Sequence, residues 1–322
     1  METRITRMLH IHYPILQGGL AYLALAELAA AVSNAGGLGQ ITATSLASVD
    51  DLRREITRAR MLTDQPFGVN LAISQHHEVD SMVDVVVEEA VPVVTLTGGN
   101  PAKVLERLQS CNIKKLVMVS SAMQAKKAET LGADAVIAVG QEGGGHIGRD
   151  DTGTFVLIPS VVDAVKIPVV ASGGIADGRG LAAALALGAE AIEMGTRFIV
   201  TKECTAHMAY KERLLQARAA ETRVIKRSIG APGRVMNGPW VEHVLQKERE
   251  AASEQELYAL LQGKRNLRVI IDGDFDQGYG WAGQSVELIH AIMTVEDLIA
   301  EVIHDALSVQ KRLQTVLAVK DK

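Results

Sequence analysis

Cysteine is nearly absent: Cys111 and Cys204 are the only two in 322 residues. That is too few, too far apart, for a disulfide framework or a thiolate metal cluster. Positive charge is also in short supply. Lys and Arg number 33 against 38 Asp and Glu, a net charge of −5, so the chain lacks the basic footprint expected of a nucleic-acid binder. Long apolar runs are missing too. The longest, Leu20 to Val32, is interrupted by Glu27 and reads as a buried helix, too short to span a bilayer. No apolar stretch follows the charged N-terminus as a secretory signal would require. What remains is a cytoplasmic enzyme class with no membrane or nucleic-acid partner. The hydrophobic content of 48% is ample for one barrel-sized core.

What is present is rhythm. Short apolar runs recur at Pro14–Gln17, Gly37–Ile41, Phe67–Leu71, Val93–Leu96, Lys115–Val119, Ala135–Val139, Val169–Ala171 and Ala191–Gly195. They are nearly continuous in Val, Ile, Leu and Ala, as suits parallel strands covered on both faces. Amphipathic stretches separate them, at Ala21–Ala35, Ser48–Leu62, His77–Ala90, Pro101–Ser110, Ala122–Leu131, Phe155–Val165 and Asp177–Leu187. Eight βα units predict an α/β fold of the (β/α)8 TIM-barrel type, with a doubly wound open sheet as the alternative. Residues 1–204 would form the barrel. Residues 205–270 carry dense charge and no strand pattern, and read as a helical insertion (His207–Ala220, Gly238–Glu250, Ser253–Leu261), either a lid or an oligomer contact. Residues 271–322 would return to the barrel, with a new helix starting at Ala282-Gly283-Gln284. A last helix is expected over Thr294–Leu313, with Thr294 as N-cap and Asp297 at N3.

Chemistry concentrates at predicted strand ends. After the sixth strand comes Gly143-Gly144-Gly145-His146-Ile147-Gly148. Glycines let backbone approach a flat ligand, and a histidine there can exchange a proton near neutral pH. The run also satisfies G-x-G-x-x-G, but it follows the sixth strand and does not open into a helix, so a dinucleotide site is not implied. The seventh strand ends in Ser172-Gly173-Gly174 and the eighth in Gly195-Thr196, where barrels commonly bind phosphate through bare amides. On the opposite side, Gly18-Gly19 after the first strand and Asn70 in the third offer a platform for a planar ring. Phosphate site, ring platform and histidine together describe a site for flavin mononucleotide (FMN).

Other residues are discounted. Two adjacent rings at His76-His77 diverge, with no carboxylate cluster to complete a metal site. Asp272-Gly273-Asp274-Phe275-Asp276 begins like a calcium loop, but Gln277 and Gly283 stand where glycine and glutamate are needed. Asp150-Asp151 read as solvated turn acids, and His207 as the start of a helix. No metal is expected.

The blocks PILQGGLA, AGGLGQI, PFGVNL, GADAVIAVGQEGGGHIG, IPVVASGGIADGRGLAAALALGAEAIEMGTRF and GDFDQGYGWAGQ span the chain. They resemble the nitronate monooxygenase (2-nitropropane dioxygenase-like) flavoproteins, a superfamily that includes FMN-dependent enoyl-acyl-carrier-protein reductases of the second type and NADH:quinone reductases. The resemblance implies FMN at the C-terminal face of a barrel and catalysis at His146. By the same match, Gly18, Gly19, Asn70, Gly145, Ser172, Gly173, Gly174, Gly195 and Thr196 line the flavin. The usual QGGM is QGGL here, so Leu20 stands where relatives hold a thioether. GGHIG and Met118 resemble the enoyl reductases. The block from Ile175 to Phe198 followed by TKEC is closer to the nitronate and quinone branches. The expectation is a nitronate monooxygenase-like enzyme with His146 as base. The alternatives are an NAD(P)H-dependent enoyl-thioester reductase with His146 as acid, an NAD(P)H:quinone reductase, and a non-catalytic flavin-binding barrel. Substrate would be a small molecule (nitronate, enoyl thioester or quinone), NAD(P)H a candidate co-substrate, and a homodimer the assembly considered.

Overall fold

Runs of Val, Ile, Leu and Ala become short parallel strands here because both their faces are covered, by helices outside and by other strands across the barrel. The computed structural model describes residues 1–73 and 78–318. In chain order the strands are β1 (Ile15–Gln17), β2 (Gly39–Thr42), β3 (Phe67–Ala72), β4 (Val93–Thr97), β5 (Lys114–Val119), β6 (Ala135–Val139), β7 (Gly145–His146), β8 (Val169–Ser172) and β9 (Ala191–Met194). All but β7 join one parallel sheet in the order β1-β9-β8-β6-β5-β4-β3-β2. A parallel bridge between Leu16 and Leu38 brings β1 to β2 and completes the ring. The fold is a (β/α)8 barrel, and the open-sheet alternative falls.

Side chains two apart on a strand share a face, and this divides the interior into two zones. Toward the N-terminal end, Leu16, Leu38, Val93, Leu116, Ile137, Val170 and Ala191 form one apolar cluster. A helix the sequence reading missed, Arg4–Leu9, plugs it with Ile5 and Leu9, and a reciprocal Thr3–Thr6 cap starts that helix. Two residues further along, the same face carries Gln40, Asn70, Thr95, Ser172 and Glu193, all buried. The interior therefore turns polar only at the C-terminal end of the barrel.

The helices pack closely outside. A β-carbon at Gly39 would lie 1.8 Å from the Ala29 carbonyl oxygen in the helix Ala26–Asn34. Gly39→Ala must push that helix off the barrel, because backbone cannot give way as a side-chain tip can. The expected loss is at least about 3 kcal/mol, the upper range for overpacked cores. A thermal melt checks it, and an unchanged midpoint would refute this packing.

Several expected bounds shift. The helix expected over Ala21–Ala35 begins only at Ala26, because Tyr22 turns the chain with φ +64°. The last helix runs longer, Val295–Val316, with Thr294 capping the Asp297 amide as anticipated. The segment after Gly283 forms a 3-10 turn, Gln284–Leu288, and the helix after His207 stops at Gln216. The larger correction concerns the insertion. Its sequence shows no strand pattern, yet it holds β10 (Thr222–Ile225) and β11 (Gly233–Met236). They pair antiparallel, and β11 pairs in turn with β7, Gly233 opposite His146. Two four-residue strands among Lys, Arg and Glu leave too short an alternation to register. A further helix, Gly263–Asp272, also went unforeseen.

Candidate active site

The glycine-lined loops meet at the C-terminal mouth of the barrel. A β-carbon at Gly18 would lie 3.2 Å from the Glu193 carboxyl carbon, and one at Gly19 would lie 2.7 Å from the Asn70 amide. Gly173 and Gly174 have φ of +95° and +75°, a left-handed pair that glycine adopts without strain. Gly173 lies against Gly140 and Gly143 of the histidine loop, where a β-carbon would be 2.9 Å from the Gly140 carbonyl. Gly195 is different: its missing side chain would point into open space, with only the Leu20 side chain 3.5 Å away. The Thr196 hydroxyl accepts the Gly283 amide at 2.9 Å, tying the C-terminal segment onto the mouth. Leu20, buried, donates its backbone N–H to the Thr42 hydroxyl at 3.0 Å. Thus the residues singled out after β1, β3, β8 and β9 gather at the C-terminal end of the barrel.

Beneath that opening the polar layer is incompletely bonded. Asn70 Nδ2, Gln40 Oε1, Thr95 Oγ1 and Glu193 Oε1 are buried without a hydrogen-bond partner. Buried polar atoms in native proteins are almost always satisfied, so a cluster of four at one end of a barrel points to a ligand or ordered water. Glu193 is the most telling. Burial raises its carboxyl to about 7, against the opposing hydrogen bond from Ser172 Oγ to Oε2 at 3.0 Å. A carboxyl poised there donates or accepts as its partner requires. Glu193, Gln40 and Thr95 were not foreseen; a charged residue inside the apolar run Ala191-Ile192-Glu193-Met194 was the available signal.

His146 stands at the rim on β7, its ring partly facing solvent. The Lys226 ammonium reaches its Nε2 at 2.7 Å. Trp281 lies alongside, ring centroids 5.1 Å apart. Crowding by protein, and then the Lys226 charge, push the imidazole down to about 4. It is therefore neutral at pH 7, with Nε2 as acceptor, because an ammonium has only hydrogens to offer. Lys226 itself is 7% exposed. Neither Lys226 nor Trp281 was anticipated: Lys226 follows β10 in a stretch that shows no strand pattern, and Trp281 comes from a separate segment that bridges to Val235 of β11.

The discounted residues have ordinary roles where they are described. Asp150 and Asp151 are exposed, and Asp151 accepts from Gln141 and Arg227. His207 Nδ1 caps its helix by accepting the Ala209 amide at 3.1 Å. Asp274 accepts the amides of Asp276 and Gln277, a turn. His76-His77 lie outside the described residues. Among the described residues no cluster of three His, Cys, Asp or Glu is arranged to hold a metal, and no helix is long and apolar enough to cross a membrane.

A family model described as nitronate monooxygenase matches residues 2–82 and 78–305. The chain belongs to the nitronate monooxygenase family. Its relatives in that family include a probable nitronate monooxygenase of Staphylococcus saprophyticus, 33% identical over 97% of this chain and 99% of that one. A (3aS,4S,5R,7aS)-5-hydroxy-7a-methyl-1-oxo-octahydro-1H-indene-4-carboxyl-CoA dehydrogenase of Rhodococcus jostii is 39% identical over 74% of this chain and 66% of its own length. Among solved structures, FabK of Thermotoga maritima superposes with a TM-score of 0.94 at 41% identity, covering 98% and 100% of the two chains. Nitroalkane oxidase of Streptomyces ansochromogenes gives 0.85 at 29% identity, over 97% and 100%. This member of the nitronate monooxygenase family is accordingly an enzyme of the same oxidoreductase superfamily.

Proposed function

We propose that this protein is an FMN-dependent, NAD(P)H-consuming reductase of α,β-unsaturated thioesters, with His146 delivering the proton to the α-carbon. The observation that carries the reading is the partner of His146 Nε2, an ammonium 2.7 Å away. An ammonium donating to Nε2 weakens the ring as a base, leaves its hydrogen on Nδ1 and can refill Nε2 as that hydrogen departs. That favours giving a proton to a carbanion-like carbon over taking one from a neutral carbon acid. The full-length likeness to FabK and the CoA-thioester name of the Rhodococcus relative agree with it.

The residues at the mouth fit FMN. Gly173, Gly174, Gly195 and Thr196 would receive the phosphate, with bare amides and one hydroxyl. Gly18, Gly19 and Leu20 would back the ring. Asn70 and Glu193 would bond its polar edge or the ribityl chain, satisfying atoms that now lack partners. Gly145 holds φ +79°, which glycine supplies cheaply, and the space a β-carbon would take there is open. When bound, FMN would supply the hydride chemistry that no side chain here can perform. Trp281, tilted against His146 with ring centroids 5.1 Å apart, helps fix the orientation of the imidazole.

Nitronate oxidation is the second reading, favoured by the family match and by the Staphylococcus relative. A nitronate has already lost its proton, so a weakly basic His146 is no obstacle. One pair of measurements separates the two. Under anaerobic conditions NADH or NADPH should bleach the bound flavin, and crotonyl-CoA should restore its colour. Oxygen uptake driven by alkyl nitronates, without flavin reduction by either nicotinamide, would overturn the reductase reading in favour of the second.

A further inference from the structure

We propose that Lys226 is the proton reservoir of the site, a positioning residue that donates to His146 Nε2, fixes the ring's hydrogen on Nδ1 and resupplies the ring after each proton delivery. The inference rests on the reading that His146 exchanges a proton with substrate. Its physical basis is independent of the substrate's identity. The ammonium lies 2.7 Å from Nε2, and 5.3 Å from the centre of the Trp281 ring. It is buried, although a lysine on a surface hairpin normally reaches water. Its backbone holds φ +64°, a left-handed conformation that residues with a β-carbon rarely adopt. The turn is pinned on both sides: the Lys226 amide donates to Glu248 Oε2 at 3.0 Å, and its carbonyl accepts from Ala231 at 3.1 Å. Backbone strain of this kind persists only where surrounding contacts over-determine it, and here those contacts aim the side chain at His146.

Among the described residues, charged groups on the elements around the pair are held as follows. Glu248, on the helix Pro239–Arg249, favours the ammonium. Arg234, on β11, spends its guanidinium on the Gln141 carbonyl and the Thr222 hydroxyl. Arg227, next in the chain, is paired with Asp151 of the histidine loop. Arg149 of that loop lies over Gly230. The cation hydrogen-bonded to Nε2 among the described charged groups is Lys226.

The step balances without electron transfer. While Nε2 accepts, the hydrogen of the neutral imidazole is on Nδ1. The Nδ1–H bond breaks as the carbon–hydrogen bond forms, and an ammonium N–H breaks as Nε2–H forms, leaving a neutral amine. Resetting takes one proton from water at the ring while Nε2 returns its hydrogen to the amine. Burial brings Lys226 down to about 8, with Glu248 opposing. The reservoir is therefore full below that pH and empties as pH rises through it.

The test uses the FMN-loaded enzyme, Lys226→Met and Lys226→Arg, with FMN content and circular dichroism confirming the fold. Nitrogen-15 histidine spectra titrate His146, and the pH profile of kcat with crotonyl-CoA reports proton supply. Wild type should show a tautomer protonated at Nδ1 and an alkaline limb near 8. Lys226→Met should raise the His146 ionisation by the part the ammonium contributes, while burial keeps it below the ordinary value of about 6.5. Lys226→Arg should keep the ring neutral, yet lose at least about tenfold in kcat together with the limb, because a guanidinium does not release its proton. An unmoved His146 titration in Lys226→Met, or an arginine variant with wild-type kcat and limb, overturns the proposal. Failure of the underlying reading has its own signature, a His146→Ala enzyme with undiminished turnover.

Discussion

His146→Ala should lower turnover of an enoyl thioester by about 10²–10⁴-fold, the usual contribution of a positioned acid or base, while FMN remains bound. The two expectations separate because the ring and the cradle use different residues. His146 touches Lys226 and Trp281 at the rim, whereas the cradle is built from the loops after β1, β8 and β9. Deleting the imidazole also strips a buried ammonium of its acceptor, which costs stability by itself. His146→Gln answers that objection: its amide oxygen accepts from Lys226 but transfers no proton, so turnover should fall as far. Oxidation of a pre-formed nitronate, which needs no proton removed, should suffer much less in both variants. Equal losses on both substrates with FMN still bound would show that the ring orients substrate or stabilises charge, and the acid assignment would fall.

The barrel was legible because its signal is repeated. Eight apolar runs separated by amphipathic stretches agree with one architecture even where single bounds slip, as at Tyr22. The strand-end glycines were legible for a related reason, since Gly173-Gly174 and Gly18-Gly19 fall where the chain must leave a buried strand and turn. What stayed hidden depends on contacts between distant segments. Thr222–Ile225 and Gly233–Met236 become strands by pairing with each other, and the second also with Gly145–His146, a partner almost ninety positions away. Nothing local announces that pairing among so many charged side chains. Lys226 and Trp281 follow the hairpin and its neighbouring loop, so they were hidden with it. Glu193 was concealed differently. It sits in a recognised strand, but only closure of the ring shows that it faces the interior beside Ser172 instead of solvent.

Gly195→Leu should abolish FMN binding without unfolding the barrel. Most glycines at the mouth make poor tests, since a side chain at Gly19 or Gly173 would collide with Asn70 or with backbone, and a failed protein would say nothing about a ligand. Gly174 carries the added strain of φ +75°. Gly195 has φ −108°, which any residue tolerates, and its missing side chain opens toward free space beside Leu20. A leucine there occupies the volume next to the amides of Gly195 and Thr196, where the phosphate would lie. Each charge-assisted hydrogen bond it displaces contributes about 1.5–3 kcal/mol, so losing two weakens FMN binding by at least about 10²-fold. The variant should purify colourless, with wild-type circular dichroism and a melting temperature that added FMN no longer raises. The parent should gain stability from FMN as any ligand-binding protein does. A yellow Gly195→Leu protein with unchanged FMN affinity would place the phosphate elsewhere and dismantle the cradle assigned to the loops after β8 and β9.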